Sequence, residues 1–199
     1  IKKLGYGLGQ LMIEENVKKE IVIGHDYRSY SEEVKNALVS GLLSYGINVF
    51  DIGLTISPGA YFAQYDLDCK SVAMVTASHN ENGWTGFKMG VNRPLTFGPD
   101  LMKRLKEICL DNLSPKKING EYTYIEGMNA KYIEDLTKRN NIKRKLKAVV
   151  ACGNGTSGIF SPEILEKIGI EVIKIHCDLD HTFPYYNPNP EDLKMLKHV

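Results

Sequence analysis

The sequence predicts an α/β protein, a three-layer α/β/α architecture with a mixed, mostly parallel sheet. One complete domain is expected, followed by the start of a second, similar one. Short runs rich in Ile and Val recur between segments whose apolar residues fall at helical spacing. Strands that alternate with helices in this way imply a mostly parallel sheet covered on both faces. The same strand–loop–helix order then begins again close to residue 147, directly after a basic run.

Taken in order, Ile1 leads straight into a helical pattern, and residues 20–24 (EIVIG) read as the first strand. A helix follows over 32–45, with Val34, Ala37, Leu38, Gly41, Leu42 and Tyr45 on one stripe. Ser31 ahead of two glutamates marks its start, and Gly46 its stop. Residues 47–52 read as the next strand, 71–76 and 86–91 as two more, and 101–110 and 130–139 as helices. Residues 138–147 carry six basic side chains, the pattern of a solvated linker. The boundary is therefore placed near residue 145, giving domains 1–145 and 146–199. The second domain opens with a strand at 147–151, a glycine loop, a helix to Ile168 and a strand at 170–175. No initiator Met is present and the second domain stops short of a typical domain length. Truncation at both ends is expected.

Composition narrows the function classes. The 199 residues are 43% hydrophobic and 25% charged, which excludes disordered, collagen-like and coiled-coil classes. A net charge of +1 gives no electrostatic argument for nucleic acid or an anionic membrane as partner. No apolar run approaches the roughly 18 residues of a membrane span, and no secretory segment opens the chain. Cys69, Cys109, Cys152 and Cys177 lie far apart with no CxxC pair, and most sit in apolar or strand-like surroundings. They read as buried free thiols of a cytoplasmic protein.

The chemistry concentrates after the strand at 71–76. Ser78, His79 and Asn80 emerge together at the carboxyl end of a parallel strand, where α/β folds bind ligands. Ser78 offers a nucleophilic oxygen, with donors from His79 and Asn80 beside it. Gly83 and Gly86 let the loop turn back and bring Lys88 toward the same place. A serine with a lysine close by suits phosphoryl or acyl transfer. A polar loop that only turns the chain fits the same residues.

Thr76-Ala-Ser-His-Asn80 followed by Gly86-Phe-Lys88 resembles the phosphoserine loop of the α-D-phosphohexomutases, the phosphomannomutase/phosphoglucomutase family. Four further stretches match in the same order. Ile23-Gly-His-Asp-Tyr-Arg28 with Ser31 is similar to the family's G-R-D-x-R element, and Thr55-x-Ser57-Pro58 stands where its T-P element lies. Cys152-Gly-Asn-Gly155 and Phe183-Pro-Tyr-Tyr-Asn-Pro-Asn-Pro190 resemble the opening of its second domain. The resemblance implies that Ser78 rests as a phosphoserine and, through its phosphate, helps bind one Mg²⁺. It further implies interconversion of hexose 6-phosphate and hexose 1-phosphate, of glucose or mannose, through a hexose 1,6-bisphosphate. Lys88 is then the first candidate for general acid/base, since a partly desolvated lysine near a cation loses its proton more easily. His79 is the second, and Asn80 and Arg28 belong to the substrate and phosphate loop.

The sequence departs from the family pattern at Glu81, which replaces a proline, and at Thr85, which replaces an asparagine. Glu81 adds negative charge close to Ser78. The family's D-G-D-x-D-R metal loop, its N-terminal phosphate-contacting arginine and its third and fourth domains find no match in residues 1–199. Residues 1–199 alone are therefore expected not to turn over, with the aspartate ligands of the metal lying beyond residue 199.

Alternatives stay open. Phosphoglucosamine mutase carries a similar loop, although the Phe183–Pro190 stretch leans toward the glucose and mannose enzymes. A non-catalytic phosphosugar-binding module is opposed by the presence together of Ser78, His79 and Lys88. Gly153-Asn-Gly-Thr-Ser-Gly158 meets the dinucleotide-binding fingerprint of an oxidoreductase, with Asp178 suitably placed. Against it, Pro162 would fall within the first turns of the required helix, whereas Ser161-Pro162 reads as an N-cap and N1 pair. His25 and Asp26 are expected to order the loop after their strand, with Arg28 bonding their backbone. His176, Cys177, Asp178 and His181 alternate faces of a strand end, which disfavours a metal site. Trp84 is expected to pack within its loop, and Tyr185 and Tyr186 to lie on an extended surface segment.

Overall fold

Ile21, Val22 and Ile23 of strand β1 (Glu20–His25) are all fully buried, as a strand covered on both faces requires. β1 lies between β2 (Asn48–Leu54) and β3 (Val72–Val75), parallel to both. β4 (Phe87–Gly90) runs antiparallel to β3, and β5 (Tyr122–Tyr124) runs parallel to β2. The order is β4-β3-β1-β2-β5, the mixed, mostly parallel sheet expected from the sequence. The computed structural model describes residues 1–92, 98–111, 113–116 and 119–197. They divide into two units, 1–26 with 30–76 and 86–126, and 27–29 with 77–85 and 127–199.

In the first unit, helices α1 (Lys2–Glu14), α2 (Ser31–Leu43) and α4 (Pro99–Leu110) share one core with the sheet. Leu8, Leu11, Leu38, Leu42 and Leu105 pack there against Ile21, Ile23, Val49 and Met89. Helix α3 (Ser57–Asp66) packs on β1 and β3 with Ala60 and Ala63 fully buried outside that cluster, and so covers the other face. α1 and α2 meet backbone to backbone. A methyl group at Gly41 would come within 2.2 Å of the Lys2 carbonyl oxygen, and one at Gly5 within 2.5 Å of that of Leu38. Beneath α2, Lys35 Nζ lies 2.6 Å from Asp51 on β2, and both side chains are almost completely buried. The Asp51 carboxylate also accepts from the Tyr122 hydroxyl at 2.8 Å and the Gly53 amide at 2.8 Å. One buried acid thus joins α2, β2 and β5.

Each strand and helix read from the sequence forms, with ends shifted by one or two residues. Ser31 is the first helical residue rather than the cap: Tyr30 occupies the N-cap, and the Ser31 hydroxyl donates to Asp26 inside the protein. α3 and β5 were not anticipated. α3 opens on Ser57-Pro-Gly, which reads as a turn, and β5 is only three residues, all exposed.

In the second unit, β6 (Lys147–Ala151) and β7 (Glu171–Ile175) pair in parallel, Ala151 opposite Ile175. A 3-10 turn (Thr156–Ile159) and helix α6 (Ser161–Lys167) connect them. Pro162 is tolerated because it stands within the first two helical positions, where its missing N–H is no loss. Ser161 is itself helical, with Phe160 at the cap. Helix α5 (Met128–Lys138) joins this unit through Tyr132, whose ring meets Phe160 edge-on at 6.2 Å. Among the described residues, no helix is long and apolar enough to cross a membrane.

Candidate active site

β1 connects to β2 on one side and has β3 on the other, so the sheet order reverses between β1 and β3. Ligands of open α/β sheets bind at such a switch point, outside the carboxyl ends of the strands. The two ends are aligned: the Asp26 amide donates to the Val75 carbonyl at 3.0 Å. The chain leaves β1 toward Tyr27-Arg28-Ser29 and leaves β3 toward Ala77-Ser78-His79-Asn80.

Ser78 is held in the left-handed backbone region, at φ 56°, where a residue with a Cβ costs about 1 kcal/mol. Ala77 before it is buried, while Ser78, His79 and Asn80 are exposed, and the Asn80 amide closes a turn onto the Ala77 carbonyl at 3.1 Å. His79 Nδ1 stands 3.4 Å from the Ser78 hydroxyl. This places an imidazole beside the exposed Ser78 oxygen.

Arg28 explains how the strained turn is kept. Its side chain is 5% exposed, and its guanidinium donates to three backbone carbonyls of this loop. Nη2 reaches the oxygens of Asn80 at 2.6 Å and Ser78 at 3.3 Å, and Nη1 reaches that of Glu81 at 3.1 Å. The Phe183 ring lies 5.4 Å from the guanidinium carbon, within the range of a cation–π contact. Two amides secure the same loop. Asn187 donates to the His79 carbonyl at 2.9 Å, and Asn82 to the His181 carbonyl at 2.6 Å. The Tyr27 amide donates to Thr156 Oγ1 at 2.9 Å.

Ser78, His79, Asn80 and Arg28 are therefore gathered in one unit, whereas Lys88 lies on β4 of the other. There it is half-buried opposite Met74, on the face away from Phe87 and Met89, which pack in the core. Arg28 serves the serine loop, where the sequence led us to expect the backbone of residues 25 and 26. His25 fits its expected role, with Nδ1 2.9 Å from the Asp26 carbonyl. Trp84 is 63% exposed. Tyr185 and Tyr186 do more than line a surface, since the Tyr185 ring stacks on His176 at 3.8 Å and the Tyr186 hydroxyl is 3.2 Å from its Nδ1. Asn82, Thr156 and Asn187 were not singled out from the sequence. Asn187 stands in the Phe183–Pro190 stretch, which was noticed, but an amide reaching a carbonyl leaves no mark in a sequence.

The glycine loop of the dinucleotide fingerprint is filled by the chain itself. A methyl at Gly153 would come within 2.7 Å of Pro188, and one at Gly158 within 1.9 Å of the Cys177 carbonyl oxygen. These glycines admit neighbouring protein. Among the described residues, no group of three or more His, Cys, Asp or Glu is gathered to hold a metal ion.

The chain is similar to known proteins over nearly its whole length. Residues 1–116 match the family model described as phosphoglucomutase/phosphomannomutase, alpha/beta/alpha domain I. Residues 130–199 match that of alpha/beta/alpha domain II. A phosphomannomutase/phosphoglucomutase of Pseudomonas syringae pv. tomato is 30% identical over 98% of this chain and 41% of its own length. A probable phosphoglucosamine mutase of Pyrococcus horikoshii is 33% identical over 98% of this chain and 43% of its own. The crystal structure of a phosphoglucomutase/phosphomannomutase family protein from Burkholderia thailandensis superposes with a TM-score of 0.87. It is 26% identical and covers all of this chain and 44% of that one. The chain thus spans about two fifths of the length of the curated relatives it matches.

Proposed function

The chain belongs to the phosphoglucomutase/phosphomannomutase family, and from this we propose that the protein is a phosphohexomutase with Ser78 as its phosphoryl carrier. The observation that carries the reading is the grip of Arg28 on the turn that presents Ser78. Phosphoryl transfer asks mainly for positioning and for cations near the spreading charge, and a fixed, exposed hydroxyl at a switch point supplies the first.

In the proposed reaction, phosphoserine at Ser78 gives its phosphoryl group to a free hydroxyl of a hexose monophosphate. The bond from Ser78 Oγ to phosphorus breaks, a bond from the sugar oxygen forms, and the sugar hydroxyl loses its proton to a base. The resulting hexose 1,6-bisphosphate turns over and returns its other phosphoryl group to Ser78. Lys88 is the first candidate for that base, His79 the second, and Asn80 and Arg28 shape the loop. Mg²⁺ is the cation the reading calls for, and it stabilises charge on the transferring group when bound. No cluster of ligands gathers among the described residues. What this chain offers the ion is an oxygen of the phosphate on Ser78.

Glucose and mannose phosphates are the proposed substrates. Relatives named probable phosphoglucosamine mutase, 32% and 33% identical, support that amino sugar as the second reading. The remaining proposals are a cytoplasmic location, a division into two domains near residue 145, and no turnover by residues 1–199 alone. Peptide mass spectrometry on the protein purified at its natural full length tests the mechanism. A single phosphoryl group on Ser78 is expected. A Ser78 that stays unmodified, even after incubation with glucose 1,6-bisphosphate and Mg²⁺, would overturn it.

A further inference from the structure

Four free thiols are present, and two of them are neighbours. Cys152 directly follows β6 and Cys177 stands two residues past the end of its partner β7, and their sulfurs are 3.6 Å apart. The backbone fixes this proximity, because the Cys152 amide donates to the Ile175 carbonyl at 3.2 Å and the Asn154 amide to that of His176 at 2.7 Å. A sulfur–sulfur bond of roughly 2.05 Å requires the two sulfurs to approach from 3.6 Å. The Cys177 thiol also lies 3.3 Å from the Val150 carbonyl and 3.5 Å from that of Ile175; Cys69, by contrast, is fully buried.

We propose that Cys152 and Cys177 form a peroxide-responsive dithiol, closing reversibly to an intramolecular disulfide. Their exposures differ as such a pair requires: Cys177 is half-buried and meets the oxidant, while Cys152 is buried behind it. Burial pushes the Cys152 thiol up to about 11, which disfavours its thiolate. The Cys177 thiolate attacks one oxygen of hydrogen peroxide, the O–O bond breaks, and hydroxide leaves and is protonated to water. The Cys152 sulfur then attacks the sulfenic acid at Cys177, giving up its proton as the second water departs. Two thiols and one peroxide become one disulfide and two waters.

The link would close beside structure that matters to the serine loop. Cys177 is followed by Asp178, whose carbonyl accepts from Asn154 in the glycine loop at 2.9 Å. Ten residues on, Asn187 holds the His79 carbonyl. Oxidation would brace the root of the segment that braces Ser78.

The test uses the protein purified at its natural full length, fully reduced, treated with one equivalent of hydrogen peroxide, then denatured and blocked with N-ethylmaleimide. Peptide mapping is expected to find Cys152 and Cys177 linked, with loss of two alkylatable thiols. Cys69 and Cys109 should remain alkylated, and dithiothreitol should restore both lost thiols. Alkylation of all four cysteines after peroxide would overturn the proposal, as would sulfinic acid at Cys177 without a link. In Cys177→Ser, which changes only the half-buried partner, Cys152 should remain alkylatable. Its loss there would also overturn the pairing. None of these outcomes depends on mutase activity.

Discussion

The guanidinium of Arg28 stands 2.6 Å from the carbonyl oxygen of Asn80, and through this and its neighbouring bonds it fixes the turn that carries Ser78. Arg28→Met keeps the bulk against Phe183 and removes every donor. Hydrogen bonds from a charged group contribute about 1.5–3 kcal/mol each, so a loss of about 3 kcal/mol is expected, read from urea unfolding. Amide exchange in residues 78–82 should quicken in parallel. Unchanged exchange there would mean that the arginine serves packing alone.

Ser78 sits at φ 56°, a conformation natural to glycine. Ser78→Gly is expected to unfold at equal or higher urea, by up to about 1 kcal/mol, while losing all phosphoryl acceptance. Ser78→Val should be less stable than Ser78→Ala, because a branched side chain fits the left-handed region worst. Equal stability of all three would place no strain at this residue.

The Lys35–Asp51 pair is buried on both sides. Removing one member leaves an uncompensated charge in the interior, at a cost of about 3–5 kcal/mol. Lys35→Met is therefore expected to fall by that amount in denaturant unfolding. Asp51→Asn should also release the Tyr122 hydroxyl, seen as an earlier ultraviolet titration of one tyrosine.

Tyr122 gives a pH dependence. Burial of its hydroxyl and the hydrogen bond to Asp51 push it from 10.0 up to about 12. A group that holds its proton more tightly when folded adds stability below the unfolded value and loses it as pH rises through the folded one. The contribution should thus be whole below pH 10 and disappear between 10 and about 12. Tyr122→Phe should flatten that part of the stability curve. An unchanged curve would count against the bond.

Much of the fold was legible because its elements repeat a simple rule. Residues 21–24 carry no polar side chain, and Leu38 and Leu42 of the helical stripe share their core. α3 was hidden because Ser57-Pro58-Gly59 gives equally good signals for a turn and for a helix start, and only the sheet beneath decides. β5 was hidden because its partner, not its own pattern, makes it a strand. The serine loop was visible as side chains, Ser78, His79 and Asn80. Its support was not, because Arg28, Asn82 and Asn187 all bond to carbonyl oxygens that every residue carries. Residue 28 was tied by sequence proximity to residues 25 and 26, and in space it serves a loop about fifty positions away.

That anonymity of the carbonyl has a consequence for how the loop can change. Arg28 grips residues 78, 80 and 81 by a group that survives any substitution at those positions, so attachment and chemistry are written in separate atoms. A glutamate at position 81, where the family pattern has proline, keeps the oxygen that Arg28 holds. The exposed side chains are thereby released to diversify, and a new specificity could arise at 79–82 without rebuilding what anchors it.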